Sequence, residues 1–437
     1  MLIKLFQKYS NIRQIQDIIN SATIKQSAVT FSGTFINGAL GAIFYIFSAR
    51  YLGPASFGLM ILAITALTMI SDISDLGTGT GIVRFVSEYL IKDRYKAYRF
   101  LKLGLKVKII VSIVVVILGW ISSPLIAEML FSKAELTTSL RIAFIGVSSA
   151  LLFTFITSTL QSLQKFWSWS IIQIGTNSLR LIFVFALTWI GILNLNLNLL
   201  VYIFIPLVGF IVGMMIIKPD FMKVKNEYSV AKEFFHYNKW VALFSLVAAL
   251  GARMDIFISG RLLTNHELGI YSASNQLVQV IPQFVVAIHT VIAPKMASMD
   301  SFKEFMSYLK KTQVMVLGIA ILIILLLPIA VYLIPLLYGN SYITSVPVFI
   351  VLLVGMLFFL ISTPIHISVF YYFSNPRLFF WLSCMHLIIV SVASWIFVSS
   401  YGAMGGAIAV LLGQIVSFII PLIWITMKIK SKRISEE

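Results

Sequence analysis

Two carboxylates, Asp72 and Asp75, stand three residues apart in the stretch DISDLGTGTG (72–81), directly after twelve residues, Leu59 to Ile70, that carry no charge. Three residues is close to one helical turn, so the two side chains fall on neighbouring faces. Carboxylates this close repel each other, which favours a proton or cation on one of them; the competing reading is a fixed salt bridge to another helix. Gly77, Gly79 and Gly81 alternate in the same stretch. No strand pattern precedes them and no Walker lysine follows, so they do not read as a nucleotide-binding turn. Alternate glycines let helices approach closely, or let a helix end unwind and turn its carbonyls toward a polar path. Arg84 lies nine residues after Asp75, on the opposite side of an unbroken helix, so those two pair only if the helix unwinds between them.

Three more charges interrupt apolar runs: Arg180, Arg253 and Asp255. A charge at the bilayer centre costs roughly 2.5–3.5 kcal/mol on insertion scales, so each needs a partner or a wet cavity. Residues 253 and 255 are about 200° apart around a helix and cannot satisfy each other. Arginine's fork donates two parallel hydrogen bonds and keeps its charge when desolvated, which suits an oxyanion. Arg180 and Arg253, with Arg84 as a third cleft cation, are therefore read as cleft ligands, against structural pairing with the acids. Asp72, Asp75 and Asp255 are read as coupling or cleft acids. The five histidines, His236, His266, His289, His366 and His386, show no metal-ligand spacing. His366 and His386 fall in neighbouring helices, as packing residues or as part of the cleft lining. Cys384 is the only cysteine, so neither an internal disulfide nor a cysteine metal site is expected. No metal, cofactor or catalytic residue is assigned.

The elements that must hold these charges follow from composition. At 59% hydrophobic and 11% charged residues, a water-soluble core would leave far too much apolar surface in water, so the chain reads as an all-α, polytopic membrane protein. Windows of about 20 apolar residues, enough to cross ~30 Å of hydrocarbon, recur at 28–49, 59–82, 103–127, 140–163, 170–192, 197–217, 239–260, 268–293, 313–337, 345–372, 377–399 and 403–427. Residues 1–27 place Leu2, Leu5, Phe6, Tyr9, Ile12, Ile15 and Ile19 at helical spacing, which predicts an amphipathic helix on the membrane surface.

With the N-terminus in the cytoplasm, 27 of the 33 Lys and Arg fall in cytoplasmic segments, the Arg84 to Lys108 run among them. Arg50, Lys133, Arg141 and Arg261 fall outside, and Arg180 and Arg253 within spans. Basic residues near helix ends resist translocation, so this split predicts both termini inside. The net charge of +17 is thus an orientation signal that also attracts anionic lipid, and no nucleic-acid partner is implied. SARYLGPASFGLM (48–60) and SGRLLTNHELGIY (259–271) share Ser, Arg, Leu and Gly at one offset. Both lie where the first helix of a six-helix half leaves the membrane. Duplication with an even number of spans gives parallel repeats about an axis along the membrane normal. The expected organisation is a first lobe (28–217), a cytoplasmic linker (218–238), a second lobe (239–427) and a basic tail (428–437).

The segments ARYLGPASFG (49–58), DLGTGTGIVRFVSEY (75–89), RMDIFISGRLLTNHELGIYSAS (253–274), IAPKMASM (292–299), LLYGNSY (336–342) and YGAMGGAIA (401–409) carry a resemblance over nearly the whole chain. The chain resembles the polysaccharide biosynthesis proteins, the O-antigen (Wzx-type) and capsule repeat-unit flippases of the multidrug/oligosaccharidyl-lipid/polysaccharide exporter superfamily. The resemblance implies two six-helix bundles in a V, alternating access in the cytoplasmic membrane, and a polyprenyl-pyrophosphate-linked oligosaccharide as cargo, whose pyrophosphate headgroup Arg180 and Arg253, with Arg84, are then expected to bind. Polymerase and chain-length machinery are the partners it implies, and H+ or Na+ the coupling ion where one is used. The chain lacks room for the two extra helices of the peptidoglycan-precursor branch, and no sugar-binding motif maps onto it. A cation-coupled multidrug exporter on the same scaffold is the nearest rival; an integral-membrane glycan-modifying enzyme, which needs a large outer loop, is remote.

Overall fold

In hydrocarbon a backbone must satisfy its own hydrogen bonds, and long apolar runs with few breakers do so as helices. The computed structural model describes residues 22–225, 227–299 and 301–436, and among them are fifteen α-helices and no strand. The first half of the chain holds α1 (Ala22–Ser74), α2 (Thr78–Lys92), α3 (Arg94–Leu125), α4 (Leu136–Ser162), α5 (Phe166–Trp189) and α6 (Leu195–Ile217). The second holds α7 (Tyr228–Gly251), α8 (Met254–Leu262), α9 (Asn265–Val278), α10 (Val280–Ala297), α11 (Phe302–Leu325), α12 (Leu327–Tyr338), α13 (Ser345–Ile367), α14 (Pro376–Tyr401) and α15 (Ala403–Glu436).

Among the described residues ten helical stretches are long and apolar enough to cross a membrane, or eleven if the α7–α8 pair, bent by 43°, is one span. One of the ten, Val29–Ser74, runs for 46 residues, about twice what ~30 Å of hydrocarbon needs. It is broken at Gly53 (φ 71, ψ 168), just before Pro54. A φ that positive is open to glycine at little steric cost, so Gly53 is what lets the chain turn there. The sequence reading of twelve spans takes α1 twice and α7 with α8 once.

Three expected spans differ in detail. The second, 59–82, stops at Ser74, and a separate helix, α2, carries on to Lys92. The seventh starts at Tyr228, inside the segment read as linker, and breaks at Ala252 and Arg253. The ninth is interrupted at Leu326, where Pro328 opens α12 without a donor to give the turn before it. The N-terminal amphipathic segment lies outside the described residues up to residue 21.

A large buried cluster joins the halves, with Phe57, Met60 and Leu62 of α1 packed in the same core as Leu268 and Tyr271 of α9 and Tyr342 beyond α12. A smaller one, with Phe85, Phe100, Phe155 and Phe234, ties α2, α3 and α4 to the start of α7. Ile110, Ile113, Ile117 and Ile121 of α3 stay exposed on one face, the apolar outside expected of a lipid-facing helix.

Candidate functional site

The stretch that opened the sequence reading is a helix break. α1 ends at Ser74, and Leu76 (φ 51) and Gly77 (φ 71) turn the chain before α2 starts at Thr78. Asp75 holds the restart: its Oδ2 accepts from Gly79 N at 2.9 Å and its Oδ1 accepts from Thr78 Oγ1 at 3.3 Å. A carboxylate at a helix start answers both the free N–H groups and the positive end of the dipole. Oδ1 also meets Lys108 Nζ, which donates further to Thr154 Oγ1 at 3.0 Å. The glycines serve both roles the sequence left open. Gly77 makes the turn, while a Cβ on Gly81 would lie 2.4 Å from Asn238 Oδ1 of α7, so α2 and α7 touch where no side chain intervenes.

Lys108 corrects the sequence reading, which placed it among cytoplasmic basic residues. It is 1% exposed, inside α3, and is Asp75's counter-ion. Asp72 and Asp75 each face a cation of their own. Asp72 Oδ2 lies 2.9 Å from Arg253 NH2, and Arg253 Nε donates to Thr68 Oγ1 at 3.0 Å. Arg253 occupies the break between α7 and α8, so this bridge links the two halves of the chain. Asp72 is 52% exposed, and an ion pair so wet is worth at most about 1 kcal/mol. Exchanging the charges, Asp72→Arg with Arg253→Asp, should accordingly move stability by less than ~1 kcal/mol. A melting-temperature comparison in detergent checks this, and a collapse of the exchanged protein would show that the bridge does more than set register.

Arg180 has no carboxylate within 4 Å among the described residues. Its NH1 donates to Asn177 Oδ1 at 2.8 Å and its NH2 to the Tyr202 carbonyl at 3.3 Å, while its Nε is buried without a partner. The guanidinium lies 4.1 Å from the Tyr202 ring centre and 5.5 Å from that of Phe44. Asn177 Nδ2 donates to Asn37 Oδ1 at 2.5 Å, and the Tyr45 and Tyr202 hydroxyls meet at 3.3 Å. One cation is thus surrounded by amides, hydroxyls and aromatic faces contributed by α1, α5 and α6. Asp255, in the first turn of α8, is its converse: buried, accepting from Tyr271 Oη at 2.5 Å, with no cation against it. Lys108 thus pairs with Asp75 and Arg253 with Asp72. Among the described residues neither Arg180 in the first half nor Asp255 in the second has an ion pair within 4 Å, and Arg141 of α4, over the Trp120 ring, has none either.

Arg84 is apart from these. It is exposed, with its guanidinium 4.3 Å from the Tyr237 ring centre, at the end of the bundle where Lys96 pairs with Glu233 at 2.9 Å and Arg99 with Glu227. The Ser229 hydroxyl first, and Arg99 after it, hold the Glu227 carboxyl below the usual carboxylate range.

The opposite end is sealed by the two repeated segments meeting each other. Arg50 NH1 donates to the Leu336 carbonyl at 2.7 Å, and Arg261 NH1 to the carbonyls of Met129 at 2.6 Å and Leu130 at 2.8 Å. Each arginine of the repeat thus reaches across to the other half. A Cβ on Gly269 would lie 1.9 Å from the Pro54 carbonyl oxygen, and one on Gly58 would lie 2.6 Å from that of Asn265. Beside this seal an apolar groove of about 600 Å³ opens between the halves, lined by Met69, Leu250, Met254, Phe257 and Trp395 among others.

An all-helical bundle of this length, with unpaired charges held inside it, is a multi-pass membrane protein built as transporters are. The family model described as "Polysaccharide biosynthesis protein" matches residues 23–300, and the chain belongs to that family. The chain is 22% identical over 184 residues to a putative O-antigen transporter of Shigella flexneri, a match covering 42% of this chain and 44% of that relative's length. Among solved structures, the lipid II flippase MurJ in an inward closed conformation superposes with a TM-score of 0.75 at 18% identity, over 91% of this chain and 87% of that one. An inward-facing multidrug resistance MATE family transporter of the MOP superfamily does so at 0.72 and 12% identity, over 92% and 96%. At these identities the structures show a shared fold.

Proposed function

We propose that the chain is a flippase that moves a polyprenyl-pyrophosphate-linked oligosaccharide from the inner to the outer leaflet of the cytoplasmic membrane by alternating access. Arg180 carries the reading: a cation held in the first half by one side-chain amide and one backbone carbonyl, with no carboxylate within 4 Å to neutralise it, is a site for an anion. A buried charge without a partner is expensive, and a pyrophosphate supplies the missing charge while it crosses. Arg253 can join it by leaving Asp72. The family and the putative O-antigen transporter support a glycan cargo. The sealed Arg50 and Arg261 end is the outer gate in this reading, with twelve passes and both termini in the cytoplasm. The apolar groove between the halves supports a lateral gap through which the prenyl chain stays in lipid.

Carrying two negative charges outward across an inside-negative membrane releases about 4.6 kcal/mol per 100 mV, from ~2.3 per charge. Nucleotide hydrolysis is not needed. A cationic drug as cargo fits less well, since the uncompensated charge in the first half is positive.

The test is transfer of a labelled lipid-linked glycan in proteoliposomes under an imposed potential. Arg180→Ala should slow transfer roughly 10- to 100-fold, the loss of charge-assisted hydrogen bonds worth ~1.5–3 kcal/mol. Arg180→Lys, which keeps the charge and loses the fork, should fall between. Unchanged transfer by a well-folded Arg180→Ala protein removes the site assignment; export of an organic cation instead of the glycan removes the function.

A further inference from the structure

At the sealed end, cations of one half rest on helix ends of the other. Arg261 donates to Met129 and Leu130, as described, and Lys133 Nζ donates at 2.7 Å to the carbonyl of Leu263, the residue that closes α8. Carbonyls at a helix C-terminus lack intrahelical partners and carry the negative end of the dipole, so they hold a cation without neutralising it. The two grips interlock. Arg261 takes the carbonyls four and three residues before Lys133, and Lys133 takes the carbonyl two residues after Arg261. Two positive side chains are therefore held where the loop before α4 crosses the end of α8.

Among the described residues neither cation has an ion pair within 4 Å. The carboxylates at this end are engaged with neutral donors: Glu267 accepts from Thr264 N at 3.1 Å and Thr264 Oγ1 at 2.8 Å, and Glu135 from Asn265 Nδ2. Glu128, on the turn that carries Met129, is exposed. Burial weakens the hold of the Lys133 ammonium on its proton, while Glu135 and Glu267 strengthen it, so this cation stands partly out of water with no anion bonded to it. Both cations keep donors in reserve. Among the described residues Arg261 bonds only through NH1 and Lys133 makes a single bond, which leaves Nε and NH2 of the guanidinium and the rest of the ammonium to a ligand.

A second observation is apolar. Arg261 and Leu130 stand in the wall of the groove of about 600 Å³ between the halves, and apart from Arg261 and Ser391 that wall is apolar, from Met69 of α1 to Trp395 and Ile396 of α14. Its volume falls in the range of small-ligand pockets, roughly 300–1,000 Å³, and its lining offers nothing to a sugar. An apolar slot with one cation in its wall and a second bonded close by matches an amphiphile with a hydrocarbon chain and a compact, doubly charged head. A phosphodiester headgroup, with a single charge, leaves one of the two cations unanswered.

We infer that this groove, with Arg261 and Lys133 at its mouth, binds the prenyl diphosphate anchor of the cargo, the chain lying along Met254, Phe257 and Trp395 and the diphosphate held by the two cations. The site is separate from Arg180, whose neighbours belong to α1, α5 and α6. It reads the anchor and not the glycan, so it takes the loaded lipid arriving at the outer face and the bare prenyl diphosphate alike, and the bare anchor should inhibit transfer. The inference rests on the flippase reading for its ligand class and for calling this end the outer one.

A farnesyl diphosphate with a diazirine in its last isoprene unit tests it, on the full chain in vesicles of phosphatidylcholine and phosphatidylglycerol. Irradiation should label peptides within 250–258 and 391–396, and excess unmodified farnesyl diphosphate should suppress the label. Arg261→Gln with Lys133→Gln should lower that labelling about tenfold or more, a decade for each ~1.4 kcal/mol of charge-assisted bonding lost. Arg261→Lys with Lys133→Arg, which keeps both charges, should restore much of it. Arg50→Gln removes a seal bond of the same kind made to Leu336 and should leave labelling unchanged, which separates binding from loosening of the seal. Label spread over all lipid-facing helices, groove label that survives the double Gln variant, or suppression as strong by farnesyl monophosphate or by added phosphatidylglycerol would overturn the inference. Glycan transfer is scored separately: groove labelling without any transfer under a potential removes the flippase reading and leaves the anchor site, whereas transfer by a protein whose groove takes no label removes the site alone. Melting temperatures identify a misfolded variant, and Lys133→Gln, in a loop, serves if the double variant does not fold.

Discussion

Asp75→Asn should cost the folded protein about 3–5 kcal/mol, the usual penalty for removing one partner of a buried ion pair. Asparagine keeps the shape of aspartate and can still accept from Gly79 N, so the helix restart survives and the loss isolates the charge. What it strands is the Lys108 ammonium, 1% exposed, with only Thr154 Oγ1 left to receive it. The penalty has a ceiling, because a lysine with an ordinary affinity for its proton can shed it at pH 7 for about 4.6 kcal/mol. The double variant, Asp75→Asn with Lys108→Met, removes both charges and should recover stability to within ~1 kcal/mol, as buried pairs replaced by apolar groups often do. Unfolding in mixed micelles with a rising fraction of denaturing detergent measures the three proteins together. Equal stabilities for Asp75→Asn and the parent would show that water reaches Lys108 and that the pair is not the anchor of the α2 break.

This pair also marks how far the sequence could be read. Apolar runs of spanning length announced the helices, because hydrocarbon leaves the backbone no other choice. Arg180, Arg253, Asp72, Asp75 and Asp255 announced themselves as charges in those runs. Lys108 did not, since it ends a run of basic residues from Arg84 onward and composition gives no sign of where such a run enters the membrane. A carboxylate in the preceding span with no cation to match it was the available hint. Partnerships were hidden for a different reason: 185 residues separate Arg253 from Thr68, and only the packing of α1 against the α7–α8 break brings them together. The break at Leu76 and Gly77 was half visible in the glycines. Its capping by Asp75, and the division of the acids between two cations, depend on where α3 and α7 lie. Arg84 stands apart from the other charges, exposed and with its guanidinium against the Tyr237 ring, a placement that depends on where α7 lies.

The matched glycines of the repeat lead to the second large effect. Spacing alone made Gly58 and Gly269 look like relics of duplication, but they are where the halves touch. Gly269→Ala adds one methyl group 1.9 Å from the Pro54 carbonyl oxygen, a backbone atom that no rotamer change can move. Overpacking of this kind costs typically ~1–3 kcal/mol. In the proposed alternating-access cycle this contact parts when the end opens, so the strain acts as a difference between two conformations and shifts their ratio by roughly 5- to 150-fold. On that reading the end that carries Arg50 and Arg261 should stand open far more of the time. Ala49, fully buried beside it, reports the change. With Cys384 replaced by alanine and Ala49→Cys introduced, a membrane-impermeant maleimide added outside should label the Gly269→Ala protein at least about tenfold faster than its Gly269 parent. Arg261→Ala, which removes only the bonds to Met129 and Leu130, should produce a smaller rise. Glycan transfer should fall in step, because alternation needs closure as much as opening, whichever groups carry the cargo. Unchanged labelling, with the protein folded, would mean that the contact between the two glycines belongs to both conformations and that the gate lies elsewhere.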